Sequence, residues 1–145
     1  MGRRSLARQL PMRLATGGFI LNSGLTKRDA DEETAQQLHR FATTTYPFLG
    51  KLEPSRFVRL LSAGEIAVGT LLLVPFVPAA VAGAALTGFS AGLVGLYLRT
   101  PGMRQEGSLR PTEPGIVLAK DVWMFGIGLS LVIDGAAQAC RRSSS

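Results

Sequence analysis

The side chains able to do chemistry in this chain are few, and they sit in apolar surroundings. Glu65 lies within Phe57 to Leu98, forty-two residues whose only other charge is Arg59. Asn22, Lys27, Ser90 and Asp121 fall inside or at the ends of other apolar stretches. An ionisable group so placed is costly, and it commonly faces a partner, a cavity or a proton path. A carboxylate, an ammonium, an amide and a hydroxyl together suit proton-linked chemistry, or they can hold the head group of a small ligand by charge and hydrogen bond. Redox work by the chain itself fits less well. The single cysteine, Cys140, cannot form an intrachain disulfide or a CxxC relay, and the single histidine, His39, cannot make a bis-histidine haem site. No catalytic residue, no metal ligand set and no cofactor is expected from these residues themselves.

The elements that must position these groups are legible from composition. The chain has 145 residues, 46% apolar and 18% charged, with seventeen glycines and a net charge of +6. Its mean hydropathy is +0.23, whereas about a quarter of the residues in an ordinary soluble domain are charged. A basic balance can signal nucleic acid, but here the Lys and Arg lie at the tails and between apolar stretches, without interleaved aromatics. They read as juxtamembrane charge, so the expected partner is the lipid bilayer and not nucleic acid. The fold class predicted is an all-α membrane protein, a four-transmembrane-helix bundle with an extra amphipathic segment in its first loop.

The spans fall at about 10–27, 57–76, 78–98 and 117–139, between a basic tail, 1–9, and a polar tail, 140–145. Pro78 to Leu98 contains twenty-one residues without a charge, enough at about 1.5 Å per residue to cross roughly 30 Å of hydrocarbon. Pro75-Phe76-Val77-Pro78 is a sharp break, which predicts that spans two and three are antiparallel neighbours. The first span reaches full length if Arg13 snorkels towards the head groups. Arg3-Arg4 before an apolar segment also resembles a twin-arginine signal, but no small-x-small cleavage site follows Leu25. An even number of spans puts both tails on one side, and their dense, acid-free basic charge makes that side cytoplasmic.

Between the first two spans, Asp29 or Asp31 can cap a helix whose Ala35, Leu38, Phe41 and Ala42 recur on one face. That face would lie on the bilayer surface or cover the mouth of the bundle. The segment after Leu98, rich in Pro, Gly, Arg and Glu, reads as irregular. Within span three, Ala80, Ala84, Gly88 and Gly92 form a small-residue stripe suited to close backbone approach, either inside the bundle or as a homodimer seam.

Counting residues from the loop-side ends gives depth without orientation. Asn22, Glu65 and Ser90 each fall roughly 8 to 12 Å below that surface, where they would form one polar layer, with Lys27 reaching down to Glu65 and Asp121 competing for it. Arg13 and Asp134 both lie about 20 Å down, which predicts a structural ion pair between spans one and four.

These residues resemble the DoxX-like family of small bacterial integral membrane proteins. The first span, Arg13 through Gly17, Gly18, Phe19 and Gly24 to Lys27, is similar to the family's opening pattern of Arg, Gly, Phe, Gly and Lys. Glu65, Gly69 and Leu71-Leu72-Leu73 match its acidic residue, glycine and leucine-rich run, and Lys120-Asp121 opens the fourth span in family fashion. The resemblance, covering about Leu10 to Ala137, implies a four-helix protein of the bacterial cytoplasmic membrane related to the quinone-linked DoxD subunits and to MauE proteins. Some relatives accompany thiosulfate oxidation or oxidative-stress complexes. The function expected is a non-catalytic subunit or modulator of an envelope or redox complex, with a membrane or redox protein as partner. A quinone-binding subunit of a membrane oxidoreductase and a proton-coupled small-solute carrier are the alternatives.

Overall fold

A computed structural model describes residues 3–144, apart from the side chains of Arg3, Arg4, Ser5, Pro114 and Val117; the rest of both tails lies outside the described residues. Among the described residues the chain is all-helical, with no named strand. Its order is α1 (Arg3–Arg28), α2 (Glu32–Thr45), a 3-10 turn (Pro47–Lys51), α3 (Pro54–Leu73), α4 (Ala79–Arg99), α5 (Glu113–Ala119) and α6 (Asp121–Ser143). Two of these, α4 and α6, are long and apolar enough to cross a membrane. The other long helices are more charged, α1 carrying six Lys and Arg and α3 carrying Arg56, Arg59 and Glu65.

The helix ends follow local chemistry. Asp31 caps α2 by accepting a hydrogen bond from the Thr34 N–H at 2.8 Å, and hydrogen bonding from Thr34, side chain and then backbone, holds the Asp31 carboxyl below its ordinary range. Pro54 occupies the first turn of α3, where its missing N–H costs nothing. Val74 turns extended ahead of Pro75, so α3 ends at Leu73, three residues short of the expected span end at 76. At the other end, α1 begins in the basic tail and runs unbroken through Arg13. The expected fourth span divides into α5 and α6, because at Lys120 the bonding tightens to Trp123 N–H on Lys120 O at 3.0 Å. The segment after Leu98 turns at Gly102 and Gly107, whose φ angles of 84° and 67° suit glycine alone.

The long helices form two tight antiparallel pairs, α1 on α3 and α4 on α6, with α3 touching α4 far less. The helices α3 and α4, expected as spans two and three, are therefore joined by a short turn but are not each other's main packing partners. The reason lies in the glycines. Gly17 backs onto Leu72 and Gly69 of α3, and Gly24 onto Glu65 and Ile66, so close that a Cβ at either site would lie 2.9 Å from its nearest neighbour. In the second pair, a Cβ on Gly83 would lie 2.7 Å from Gly128 O and 2.8 Å from Val132 N. Such approaches provide the dispersion contact that holds helices together where both sides are apolar. Between the pairs, Ile20, Val68, Leu72, Leu86 and Leu131 meet in one buried core.

Of the two readings of the small-residue stripe, this packing corrects the one inside the bundle. Ala84 and Gly88 are exposed, nothing lies within 4 Å of a Cβ on Gly88 or Gly92, and only Ala80 approaches α6, at Gly135. The face of α4 that does the packing is Ala79, Ala82, Gly83, Leu86 and Ser90. Spacing by four occurs on both faces of α4; the glycines Gly128 and Gly135 on its partner decide which one is used.

Candidate ligand cavity

A cavity of about 490 Å³ lies at the end of the bundle where α1 and α4 finish and α3 and α6 begin. Its polar lining comes mainly from Ser23, Lys27, Glu65, Lys120 and Asp121, and its apolar walls include Leu38, Phe41, Phe57, Leu61, Leu93 and Leu96. The amphipathic α2 forms one wall. It is anchored by Tyr46 OH donating to Gly92 O at 2.8 Å and by Thr45 Oγ1 meeting Thr100 Oγ1 at 3.2 Å, while His39 contacts Leu49 O and sets its ring edge against Phe57. Of the two places expected for α2, it therefore takes the mouth of the bundle. A neighbouring depression of about 560 Å³ is lined by surface charges such as Arg28, Asp31, Glu53 and Arg59 and has the character of a wet groove.

Lys27 does reach Glu65. Its Nζ stands 3.0 Å from Oε1 and 3.1 Å from Oε2, and 2.6 Å from Ser23 Oγ. The Glu65 side chain is only 6% exposed, so the pair stands in a medium where both charges need each other. Ser62 Oγ, one turn nearer the start of α3, donates to Gly24 O at 2.7 Å and ties α3 to α1 beside the pair. The polar layer contains Ser23 where Asn22 was expected; Asn22 is exposed, and its carbonyl merely accepts from Thr26. Depth counting finds the level but not the face. The buried stripe of α1 runs through Gln9, Arg13, Thr16, Ile20 and Gly24, and Ser23 borders it whereas Asn22 is rotated off by a further 100°, as helical geometry requires. Ser90, also expected in the layer, is fully buried on α4 and is not a lining residue.

Asp121 lines the cavity, while Lys27 gives its hydrogen bonds to Glu65 and Ser23. The nearest charge to Asp121 is Lys120, Nζ to Oδ1 3.7 Å, too long for a hydrogen bond. With 1% of the residue exposed, neither carboxylate oxygen has a hydrogen-bond partner. Lys120 also lies over the Phe19 ring, 5.1 Å from its centroid, a cation–π contact that holds the junction of α5 and α6 against α1.

The expected pair of Arg13 with Asp134 does not form. Arg13 is 1% exposed and donates from Nε to Leu72 O at 2.8 Å, from Nη1 to Val77 O at 3.0 Å, and from Nη2 to Leu71 O at 2.9 Å and Val74 O at 2.8 Å. These carbonyls belong to the end of α3 and the turn after it, where a helix leaves its last acceptors unpaired and carries partial negative charge. Backbone carbonyls, invisible in a pattern of side chains, have taken the partner's place. Asp134 instead accepts hydrogen bonds from Gln9 and Gln138 and stands 3.8 Å from Arg8. Among the described residues no group of His, Cys, Asp and Glu is arranged to hold a metal ion, and Cys140 is exposed. Neither a protein-family model, nor a curated protein, nor a solved structure matches the chain.

Proposed function

We propose that this chain is a four-span integral membrane protein of the bacterial plasma membrane, DoxX-like in kind, with both termini cytoplasmic. In this reading α1, α3, α4 and α6 are the spans. The charges that lower the apolarity of α1 and α3 support it, because the central ones are satisfied internally: Arg13 on four carbonyls and Lys27 on Glu65. The same helices turn large apolar side chains outward, including Leu14, Phe19 and Leu60, alongside Asn22 and Arg59, and α6 does so with Val122, Trp123 and Ile133. Such a surface suits lipid.

Its function would be that of a non-catalytic subunit of an envelope or redox complex, holding a quinone-type amphiphile for a partner's chemistry. The cavity carries this reading, since it joins a charged, hydrogen-bonding floor to walls of Leu and Phe, as a binding site for a molecule with a polar head and an apolar body would. The buried core of Ile20, Leu72, Leu86 and Leu131 lies deeper in the bundle, which favours a seat for a ligand over a carrier's passage. Protein purified from bacterial membranes in nanodiscs is expected to carry quinone in excess of empty discs. Leu93→Trp, which fills the cavity, should lower the quinone by at least about fivefold at unchanged protein abundance; equal quinone in both proteins and in empty discs would contradict the reading.

A further inference from the structure

We infer that the cavity selects a ligand whose head group donates a hydrogen bond, and that Asp121 is the residue that accepts it. The inference rests on the ligand-holding role proposed above and concerns the chemical form of what is held. It follows from counting donors and acceptors. Lys27 has three N–H groups, and Ser23 Oγ and the two Glu65 oxygens use all three, at 2.6, 3.0 and 3.1 Å. Ser23 also lies 3.4 Å from Glu65 Oε1, so this set has no donor left over and keeps only a spare acceptor site on Glu65 Oε2. Asp121 is the opposite case: both of its oxygens are buried without a hydrogen bond. Held as an ion beside Lys120 at 3.7 Å, the carboxylate accepts and cannot donate, so a donor is what its oxygens lack.

The neighbouring charge shows where such a donor would stand. Lys120 Nζ and Asp121 Oδ1 are 3.7 Å apart, an ion-pair distance too long for a direct hydrogen bond, so a hydroxyl seated beside both groups can donate to the carboxylate while accepting from the ammonium. An alcohol or phenol can do both. A carbonyl, such as that of an oxidised quinone, accepts from Lys120 but leaves Asp121 unpaired. For a quinone-type occupant the preferred form is thus the reduced, dihydroxy one.

The test uses two probes of nearly the same shape, 4-octylphenol and 4-octylanisole, titrated against the full chain in detergent with bound copies counted by native mass spectrometry. The phenol should bind at least about tenfold more tightly, because a site built to receive a donor is left unpaired by its O-methyl analogue. In Asp121→Leu, which has no acceptor, that preference should fall to near unity. Equal binding of both probes by the unaltered protein would overturn the inference while leaving the cavity's ligand role standing, and so would an unaltered preference in Asp121→Leu. Binding of neither probe would overturn both. The comparison on unaltered protein remains decisive even if the variant fails to fold.

Discussion

Arg13→Met is expected to be among the most damaging single substitutions in this chain. Methionine fills much of the same space but supplies none of the donors that meet Leu71 O, Leu72 O, Val74 O and Val77 O. A buried carbonyl left without a partner costs about 1–3 kcal/mol. With several released together, the loss should exceed about 4 kcal/mol, which places it among exceptional substitutions. Arg13→Lys should recover little, because one ammonium cannot reproduce the planar fork of a guanidinium. Thermal unfolding of the purified protein reads both. The pairing expected from depth makes a different prediction: joint reversal, Arg13→Asp with Asp134→Arg, would restore stability if the two charges met. The observed contacts predict no restoration, since an aspartate at 13 would face four carbonyl oxygens.

The second large effect separates stability from ligand holding at Glu65. Glu65→Ala leaves Lys27 beside Ser23 without its counter-charge. Removing one partner of a buried pair costs about 3–5 kcal/mol, and the 24% exposure of the Lys27 side chain lets it swing towards water and trims this to about 2–3 kcal/mol. Replacing both, Lys27→Met with Glu65→Leu, should return stability to near that of the original or above it, because an apolar pair of similar volume avoids the desolvation of two charges. Quinone content should not return. A double variant both stable and fully loaded would show that the pair serves packing alone, and a double variant no more stable than Glu65→Ala would contradict the proposed energetics.

Why the Lys27–Glu65 pair was legible in the sequence, and the Arg13 contacts were not, has a physical basis. Depth along a helix is linear in residue number, so Glu65, placed below the start of its span, can be matched with the long side chain of Lys27 at the end of the preceding span. Azimuth is not linear in this sense: it depends on which face a neighbour covers, and Asn22 and Ser23 differ by one residue but by 100°. As a seam inside the bundle, the stripe of Ala84 and Gly88 misled for the same reason, because glycine spacing marks a smooth face without naming the partner. Arg13 was harder still. Its acceptors are carbonyls exposed only because Pro75 ends α3, so the clue was the proline and not any acidic residue. The break at Lys120 has no sharp signal, since neither Gly nor Pro stands there. Helix order, the turn at Pro75 to Pro78 and the cap at Asp31 were open to reading, because each depends on residues within a few positions of one another. The cavity was only half legible: its charged residues could be found one by one, but the wall supplied by α2 depends on tertiary contacts to Gly92 and Thr100.

Sidedness of single cysteines tests the membrane bundle most directly. In a Cys140→Ser background, Thr44→Cys lies on α2, Phe76→Cys on the turn between α3 and α4, and Ser144→Cys at the end of α6, all at exposed positions. A membrane-impermeant maleimide applied to intact bacterial cells should label Thr44→Cys and leave Phe76→Cys and Ser144→Cys unlabelled until the membrane is opened. Labelling of Thr44→Cys and Phe76→Cys from the same side would contradict a bundle in which α3 crosses the bilayer.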